Sequence, residues 1–599
     1  MKTILFISIA SFVGAVLILC CPGLAHGAET WMALPQASAL PQTSGAQASE
    51  LSVQASDFEK AVLEVNLSGL FYDLIENSDH RNFVAISLKN EDYGYTRDVG
   101  SPRLPVIREL IEVPYGASCS VELVNPVYQE YRLSELGWNA PLYPAQAPLP
   151  KKPGALENQI FALNQEVYAS NAYCLNQTVS FEDAGFIRGY RVGFLQVFPV
   201  NYNPVAGTLK VLTRATVKVR FDNADPEATQ AARARLADSA FDQLATRIIK
   251  NKAVFQNSCA LTNPKGSRST GLLVIAHTTF VTSPSLQDFA DLKNSLGFET
   301  TVVSHTTAGG TKTAIQAYIK NAVENWALPP TYVILVGDTS HISHWTGSGT
   351  YNPATDLNYA CVRGNDYFPD VFIGRFSVSA TSQLTNLVNK ISAMETVGTK
   401  KAVFMASEDN YSISEGTHNY VINTHLNAAG WTSDKLYCHT YNATTSQVTQ
   451  AFNNGRTFAA YSGHGWDGGW GDGPAFDQNN VRALTNTIYP IVLSFACSTG
   501  AYTTSECFTE TWIRDDHGAT IAYGASESSY WDEDDILERR MVDAWHDHGL
   551  ERFGEMEDYG MYKVYQFSGG GSFARMYYEM YNTMGDPTQK VLAEELGGV

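Results

Sequence analysis

Two short segments in the second half of the chain end on side chains that suit nucleophilic catalysis. His464 follows the apolar, strand-like run 458–461, and Cys497 follows a second such run at 491–495. In an open α/β sheet, reactive groups gather just past the carboxyl ends of parallel strands. Two neighbouring strands that end in this way would hold an imidazole beside a thiol, which is the minimum equipment for cysteine catalysis.

The region that must position this pair alternates between strand and helix patterns after Gly271. Buried-type strand patterns at 272–276 and 332–336 alternate with helical patterns at 283–297 and 313–326. Such alternation indicates βαβ units, in which a mostly parallel sheet is covered by helices. We therefore expect an α/β fold in this half of the chain.

Polar side chains follow several of these predicted strands. Asp338 follows one strand, Glu408 another, His464 a third and Cys497 a fourth. Because the carboxyl ends of parallel strands meet at the same edge of a sheet, we expect all four residues to lie on one rim.

The N-terminal half has a different pattern. A leader rich in Ala, Ser, Gln and Pro at 29–56 precedes residues 60–222, which are mostly strand-like with turn signals between the strands. An Ala-rich helical stretch at 225–250 and an exposed linker at 263–268 then lead to the α/β region. The sequence thus predicts a β-rich N-terminal domain.

The first 27 residues have the composition of a secretory signal. Lys2 is followed by an apolar run from Ile4 to Leu19 and then by small residues up to Ala28. No later run reaches the ~18 apolar residues that a membrane span needs. We expect a secreted protein without a transmembrane segment once the signal is removed, with the periplasm as the alternative location.

Charge and cysteine content narrow the function further. The formal net charge of −20 argues against a nucleic-acid partner. Of the nine cysteines, Cys20 and Cys21 lie in the signal, and the other seven show no CxxC zinc spacing. An odd number in an exported protein leaves at least one free thiol, which suits a nucleophile.

Several motifs, in order along the chain, resemble the gingipain family of cysteine peptidases, which belongs to the caspase-like clan. The matching stretch covers nearly all of 271–592, and residues 100–124 are similar to the family's N-terminal propeptide. The motifs are YVILVGD at 332–338, VFIGRFS at 371–377, GHG at 463–465, AC at 496–497 and GDP at 585–587.

The resemblance implies a caspase-like α/β/α sandwich with a mostly parallel sheet, preceded by a β-rich pro-domain. It divides the chain into a signal peptide at 1–27, a leader and propeptide domain with its linker at 28–265, and a catalytic domain at 266–599. It implies a zymogen whose own propeptide is the inhibitor, with protein or peptide substrates and no organic cofactor. Lys265 and Arg268 are the candidate processing sites, and the stretch 247–252 is the alternative.

Four residues have candidate roles in the chemistry. Cys497 would attack the peptide carbonyl to form an acyl-enzyme, and His464 would take the thiol proton and later protonate the leaving amine. The backbone N–H groups of Gly465 and Cys497 are the natural donors of an oxyanion hole. The resemblance assigns to Glu408 the orientation of the imidazole.

The resemblance also implies a pocket for the residue that precedes the scissile bond. Trp531 would form its floor, and either Glu415 or Asp535 would supply a carboxylate. An acidic pocket favours Arg or Lys by charge pairing.

A structural calcium ion is the third implied element. Asp338, Asp366 and Asp370 would provide carboxylates, while Arg363 and Phe368 would provide backbone carbonyls. Hard oxygen ligands in this mixture suit Ca²⁺.

Two alternatives compete with the secreted cysteine endopeptidase. One is a catalytically inactive relative that acts as a surface-binding or secretion-associated protein, and the presence of both His464 and Cys497 argues against it. The other is a metal-dependent hydrolase built on the acidic run 532–535, which lacks clustered histidine ligands.

Overall fold

The computed structural model describes residues 29–34, 50–77, 79–261, 269–348 and 351–592. The predicted signal peptide lies outside these residues, as do the candidate processing sites Lys265 and Arg268. In the described part, β-strands dominate up to residue 222, and strands and helices alternate from residue 270 onward. Both features confirm the fold class predicted from the sequence.

The N-terminal part consists of antiparallel sheets followed by helices. Long strands alternate buried and exposed side chains, as expected for sheets with one face on the core. The strands are β1 Thr30–Ala33, β2 Leu51–Ser56, β3 Lys60–Asn66, β4 Gly69–Glu76, β5 Asn82–Ser87, β6 Ile107–Glu112, β7 Ser118–Arg132, β8 Val179–Ile187, β9 Tyr190–Val197, β10 Val200–Asn203 and β11 Thr208–Asp222. The helices are α1 Gln165–Tyr168, α2 Pro226–Leu236, α3 Ser239–Ile248 and α4 Lys252–Ser258.

Helices α2 and α3 begin where the sequence places capping residues. The Asp225 carboxylate accepts a hydrogen bond from the N–H of Ala228 at the start of α2, and Asp238 caps α3 in the same way. The buried face of α3 packs on the C-terminal part, where Phe241 stacks on Phe372 at a centroid distance of 4.3 Å.

The C-terminal part is built on one large sheet with helices on its faces. Its strands are β12 Thr270–Ala276, β13 Phe298–Ser304, β14 Pro330–Val336, β15 Trp345–Thr346, β16 Ala354–Thr355, β17 Phe372–Phe376, β18 Lys401–Ala406, β19 Thr432–Tyr437, β20 Phe458–Ser462, β21 Gly465–Trp466, β22 Gly469–Trp470, β23 Phe476–Asp477, β24 Ile491–Phe495, β25 Ile521–Ala525 and β26 Tyr581–Gly585. Its helices are α5 Pro284–Ser295, α6 Lys312–Asn325, α7 Leu357–Ala360, α8 Thr381–Met394, α9 Tyr411–Val421, α10 Cys438–Tyr441, α11 Thr445–Asn453, α12 Gln478–Arg482, α13 Phe508–Arg514, α14 Trp531–His548, α15 Phe553–Ser568 and α16 Gly571–Met580.

Within the described residues the large sheet has the strand order β13-β12-β14-β17-β26-β25-β24-β20-β18-β19. Strands β14, β20, β24 and β25 are buried along their whole length. Burial on both faces is what a mostly parallel sheet covered by helices requires. The predicted α/β/α arrangement is therefore confirmed.

The sheet changes direction at β26, and the prediction of a single rim was wrong for this reason. β26 runs parallel to β17 but antiparallel to β25. The half that contains β14 therefore points opposite to the half that contains β18, β20 and β24. Asp338, which follows β14, lies at the far end of the sheet from His464 and Cys497, and only Glu408 shares their rim.

Candidate active site

His464 and Cys497 lie at the ends of two neighbouring parallel strands, as predicted. Phe458 of β20 pairs with Ile491 of β24, so the strands reach the same rim together. Both side chains are buried, with exposures of 5% and 4%. The residue after the nucleophile, Ser498, has a left-handed backbone with φ of 58°, a strained conformation that clusters at active sites.

A residue from the N-terminal part contacts both His464 and Cys497. The carbonyl oxygen of Lys151 accepts a hydrogen bond from the Cys497 thiol at 3.1 Å and another from Nδ1 of His464 at 2.8 Å. The imidazole and the thiol thus meet at one oxygen atom instead of contacting each other.

This arrangement holds the dyad in an inactive state. Nε2 of His464 lies 2.8 Å from a carboxylate oxygen of Asp409, and both partners of the ring only accept hydrogen bonds. With Nδ1 engaged by the Lys151 carbonyl, the ring does not accept the thiol proton in this arrangement. Burial raises the pKa of the Cys497 thiol, which further favours its neutral form.

The carboxylate that orients the imidazole is Asp409, and the assignment of this role to Glu408 was wrong. The Glu408 side chain points to solvent and lies 3.3 Å from His439. The backbone N–H of Asp409 is bound by the Asp472 carboxylate, and its carbonyl accepts from the Ser407 hydroxyl. These contacts hold the loop after β18 so that Asp409, not its neighbour, faces the ring.

The side chain of Lys151 fills a closed pocket beside the dyad. Its ammonium group lies 3.0 Å from a carboxylate oxygen of Asp534, 3.0 Å from the Ser462 hydroxyl and 2.8 Å from the Phe495 carbonyl. The side chains of Lys151 and Asp534 are both fully buried. The hydroxyl and the carbonyl accept hydrogen bonds from the ammonium group, and Asp534 balances its charge as an ion pair.

Trp531 lines this pocket, as predicted from the sequence. The ammonium group lies 4.8 Å from the centroid of its ring, which is the geometry of a cation–π contact. The ring also stands edge-on to His464 at a centroid distance of 5.7 Å, so it borders both the pocket and the imidazole.

Neither predicted pocket carboxylate belongs to the pocket. Glu415 accepts hydrogen bonds from the N–H and the hydroxyl of Thr440. Asp535 pairs with Arg539 four residues later and with Thr417. Asp534 takes the role because it lies three residues after Trp531 in α14, on the same side of the helix.

The residues before Lys151 bind as an added strand. The N–H of Lys151 donates to the Ser529 carbonyl at 2.9 Å, and the N–H of Trp531 donates to the Leu149 carbonyl at 3.1 Å. Pro150 lies opposite Tyr530 in an antiparallel bridge between them. Antiparallel pairing of this kind is a common way for a protein to hold an extended peptide.

The chain turns away directly after Lys151. The N–H of Lys152 donates back to the Pro150 carbonyl at 2.8 Å, and the N–H of Ala155 donates to the Lys152 carbonyl at 3.0 Å. This tight turn, together with the binding of the Lys151 carbonyl oxygen by His464, keeps the bond between Lys151 and Lys152 out of a reactive arrangement.

The predicted oxyanion-hole donors lie close together. A Cβ atom on Gly465 would meet Ala496 Cβ at 2.9 Å and the Cys497 carbonyl oxygen at 3.0 Å, so the two backbones touch. The carbonyl of Lys151 does not use these donors, since its oxygen faces the imidazole and the thiol. The role of the N–H groups of Gly465 and Cys497 stays a prediction.

The predicted calcium set does not assemble in this structure. The Arg188 guanidinium donates to the carbonyls of Pro330, which begins β14, and of Asp370, which precedes β17. Asp338 lies past the other end of β14, roughly 25 Å away at about 3.3 Å per residue. Asp338 and Asp370 therefore cannot share one ion.

The carboxylates of Asp366 and Asp370 accept hydrogen bonds from peptide N–H groups, and N–H groups repel a cation. The N–H groups of Arg363 and Phe368 donate to Asp370 and Asp366, whereas calcium requires six to eight oxygen ligands. Burial raises the pKa of both Asp366 and Asp370 to about 7. The donors are Phe186 and Phe368 to Asp366, and Arg188, Val362 and Arg363 to Asp370.

Sequence reasoning missed Lys151, Asp409 and Asp534. The sequence held one signal for Asp534. Asp535 has the oppositely charged Arg539 four residues later in the helix, whereas Asp534 has the like-charged Glu538 at that spacing. Nothing in the sequence links Lys151 to a thiol hundreds of residues later, and position alone does not separate Asp409 from Glu408.

Two further structural findings bear on the sequence predictions. The seven cysteines of the described residues are free thiols. In the same part of the chain, no helix combines the length and the apolar character that a membrane span requires.

Comparison with known proteins identifies relatives of this chain. The model of Peptidase family C25 matches residues 266–592, and the model of Propeptide_C25 matches residues 55–248. Lys-gingipain HG66 of Porphyromonas gingivalis is 32% identical over 462 residues, which are 73% of this chain and 26% of that protein. Gingipain R2 of strain W83 is 26% identical over 432 residues, or 69% of this chain and 56% of that protein.

Among solved structures, the Arg-specific cysteine proteinase gingipain R (RGPB) aligns with a TM-score of 0.49 and 25% identity, covering 55% of this chain and 80% of that one. This chain thus spans about a quarter of Lys-gingipain and just over half of Gingipain R2. The resemblance found in the sequence motifs is confirmed by the two family models. The chain belongs to peptidase family C25 and carries that family's propeptide ahead of the peptidase domain.

Proposed function

We propose that this chain is the zymogen of a secreted cysteine endopeptidase that cleaves peptide bonds after lysine. The observation that supports this most strongly is the position of Lys151, whose side chain fills a closed acidic pocket while its carbonyl oxygen touches Cys497 and His464. An enzyme of this family that holds a lysine in this way has a pocket for lysine next to its nucleophile. The name of the relative Lys-gingipain agrees with this preference.

The pocket favours lysine over arginine for a geometric reason. One oxygen of Asp534 accepts hydrogen bonds from the hydroxyls of Tyr577 and Tyr581, which leaves the other oxygen for the cation. A guanidinium binds best to both oxygens of a carboxylate at once, whereas an ammonium needs only one. The Ser462 hydroxyl and the Phe495 carbonyl then complete the ammonium site.

The reaction starts when the propeptide segment leaves. Nδ1 of His464 is then free to take the proton of the Cys497 thiol, while Asp409 keeps its bond to Nε2. The thiolate attacks the carbonyl carbon of the substrate lysine, the imidazolium protonates the leaving amine, and water then hydrolyses the acyl-enzyme. The developing oxyanion would be held by the N–H groups of Gly465 and Cys497.

The same segment acts as the inhibitor before maturation. Residues 149–151 occupy the cleft like the unprimed part of a substrate, but the Lys151 carbonyl is held by both catalytic side chains. The signal-like residues 1–27 support export, and Lys265 and Arg268 remain the candidate cleavage sites in the linker. No observation favours the inactive, surface-binding relative.

The test is a comparison of peptide amides on the processed enzyme. We expect kcat/KM for a peptide ending in lysine to exceed that for arginine by about 100-fold, because the pocket offers no bidentate partner. One equivalent of a thiol alkylator should abolish activity and label Cys497, and the Cys497→Ala chain should be inactive. Equal cleavage after alanine, or activity that survives alkylation, would refute the proposal.

A further inference from the structure

We propose that the peptidase also selects an apolar residue two positions before the lysine at which it cuts, through a pocket formed by Ile413 and Trp531. This inference rests on the proposed function, since it extends the specificity of the same cleft. It defines the substrate class as peptides in which a bulky apolar side chain precedes the lysine by two positions.

The backbone pairing fixes which residue enters this pocket. Lys151 occupies the pocket beside the nucleophile, and the paired segment runs back through Pro150 to Leu149. In an extended chain, alternate side chains point to the same face. Leu149 therefore faces the peptidase domain on the same side as Lys151.

Leu149 packs against apolar side chains of the peptidase domain. It belongs to one buried cluster with Ile413 and Trp531, whose exposures are 7%, 3% and 1% respectively. Ile413 lies in the first turns of α9, and Trp531 is the first residue of α14. The Trp531 indole thus lines two neighbouring pockets, because it also contacts the ammonium group of Lys151.

The outer cover of this cluster belongs to the propeptide. Ala155 and Leu156 pack on it after the chain has turned back at Lys152. When the propeptide leaves, Leu149 and this cover leave together, and the apolar surface of Ile413 and Trp531 opens to solvent. Binding of an apolar substrate side chain is favoured, because it covers this apolar surface again. A charged side chain would lose its hydration here without gaining a partner, so its binding is disfavoured.

The experiment scans this position in peptides of the form acetyl-X-Pro-Lys-aminocoumarin, with X as Leu, Phe, Ala, Asp or Lys. On the processed wild-type enzyme, we expect kcat/KM for Leu and Phe to exceed that for Ala by about 10-fold, and that for Asp by more. Similar values for all five peptides, within about twofold, would overturn the inference while leaving lysine cleavage intact. Failure to cleave any of them would instead refute the proposed function.

A variant series tests whether Ile413 forms the pocket. In Ile413→Ala the Leu-to-Ala ratio should fall to about 2 or less. In Ile413→Arg the preference should invert in favour of Asp. Leu296→Ala, at an exposed position next to α5, is the matched control and should keep the wild-type ratio. An unchanged ratio in Ile413→Ala would assign the selectivity to other residues and overturn the inference.

Discussion

At the scale of single residues, the adjacent acids Asp534 and Asp535 differ completely in environment. Asp534 faces the ammonium group of Lys151, and Asp535 is neutralised by Arg539 within its own helix. Replacement of Asp534 by Asn should lower kcat/KM for lysine peptides by about 100-fold or more, because a desolvated charge pair loses one partner.

The matched control for this change is Asp535→Asn. It leaves the lysine pocket intact, so lysine cleavage by the folded enzyme should stay within about threefold of wild type. A larger loss of lysine cleavage in Asp535→Asn than in Asp534→Asn would contradict the assignment. Kinetics with lysine and arginine peptides measure both variants.

The neighbouring acids Glu408 and Asp409 provide a second such comparison. Asp409 binds Nε2 of His464, whereas Glu408 contacts only the partly exposed His439. Asp409→Asn should lower kcat by about 100-fold or more with little change in KM, because the imidazole loses the carboxylate that fixes its tautomer and orientation.

Glu408→Gln should retain activity within about twofold, since its side chain touches neither the ring nor the thiol. The pH dependence of kcat adds a readout that a purely structural role would not change. Asp409→Asn should shift the limb of the kcat–pH profile that reports the His464 imidazole, and Glu408→Gln should leave that limb in place. An Asp409→Asn enzyme with a wild-type profile would contradict the role.

Individual residues were predictable to different degrees. Strand ends located His464 and Cys497, because a reactive group after a buried run is a local pattern. Asp409 and Asp534 each lie one position from the residue predicted, since the direction of a side chain depends on loop and helix contacts. Lys151 could not be predicted, because its contacts join parts of the chain that only the folded structure brings together.

At the scale of elements, the inhibitory segment around residues 149–152 depends on one side chain for its anchor. In the full chain, Lys151→Ala removes the ammonium group from its acceptors and should release the carbonyl from the dyad. We expect alkylation of Cys497 by iodoacetamide to become about 10-fold faster or more, because the buried thiol gains access to solvent and its imidazole becomes available as a base.

Lys152→Ala is the matched control for this prediction. Lys152 carries the same charge and follows Lys151 directly, but its ammonium group contacts the ring of Tyr351, at 5.7 Å from the centroid. Its loss should leave the alkylation rate close to that of the wild-type chain. Equal rates in the two variants would show that the pocket does not anchor the segment.

The sheet shows which properties of an element the sequence determines. Runs of apolar residues between helix patterns correctly predicted buried strands, because burial on both faces leaves a clear signal. The insertion of β26 between β17 and β25 was not predictable, since strand order and direction depend on long-range pairing. This is why Asp338 lies far from the residues with which it was grouped.

At the scale of the whole molecule, partly buried ion pairs join the two parts of the chain. Asp92 of the propeptide domain lies 2.7 Å from Arg540 of α14 and 2.7 Å from Lys563 of α15. Arg97 likewise pairs with Glu533 in the first turn of α14, at 3.0 Å. Ion pairs thus hold α14, which contributes Trp531 and Asp534 to the pocket, against the domain that supplies Lys151.

The Asp92 cluster makes the stability of the zymogen depend on pH. Burial alone would raise the pKa of Asp92, but Arg540 and Lys563 together hold it well below its usual range. Because the pKa is depressed in the folded chain, the stabilisation is fully present above about pH 4, the usual value for an aspartate. It decreases as the pH falls from there towards the depressed pKa.

Replacement of Asp92 by Asn should therefore destabilise the full chain in a pH-dependent way. In a Cys497→Ala background, we expect a loss of about 3 kcal/mol at pH 7, because Lys563 and Arg540 lose the carboxylate that lies between them, although Arg540 keeps Asp543. The difference in melting temperature from the parent should shrink below pH 4. Asp79→Asn, which removes an exposed propeptide carboxylate paired with Arg81, should show little effect at either pH. A difference for Asp92→Asn that is as large at pH 3 as at pH 7 would show that the ion pairs do not provide the stabilisation.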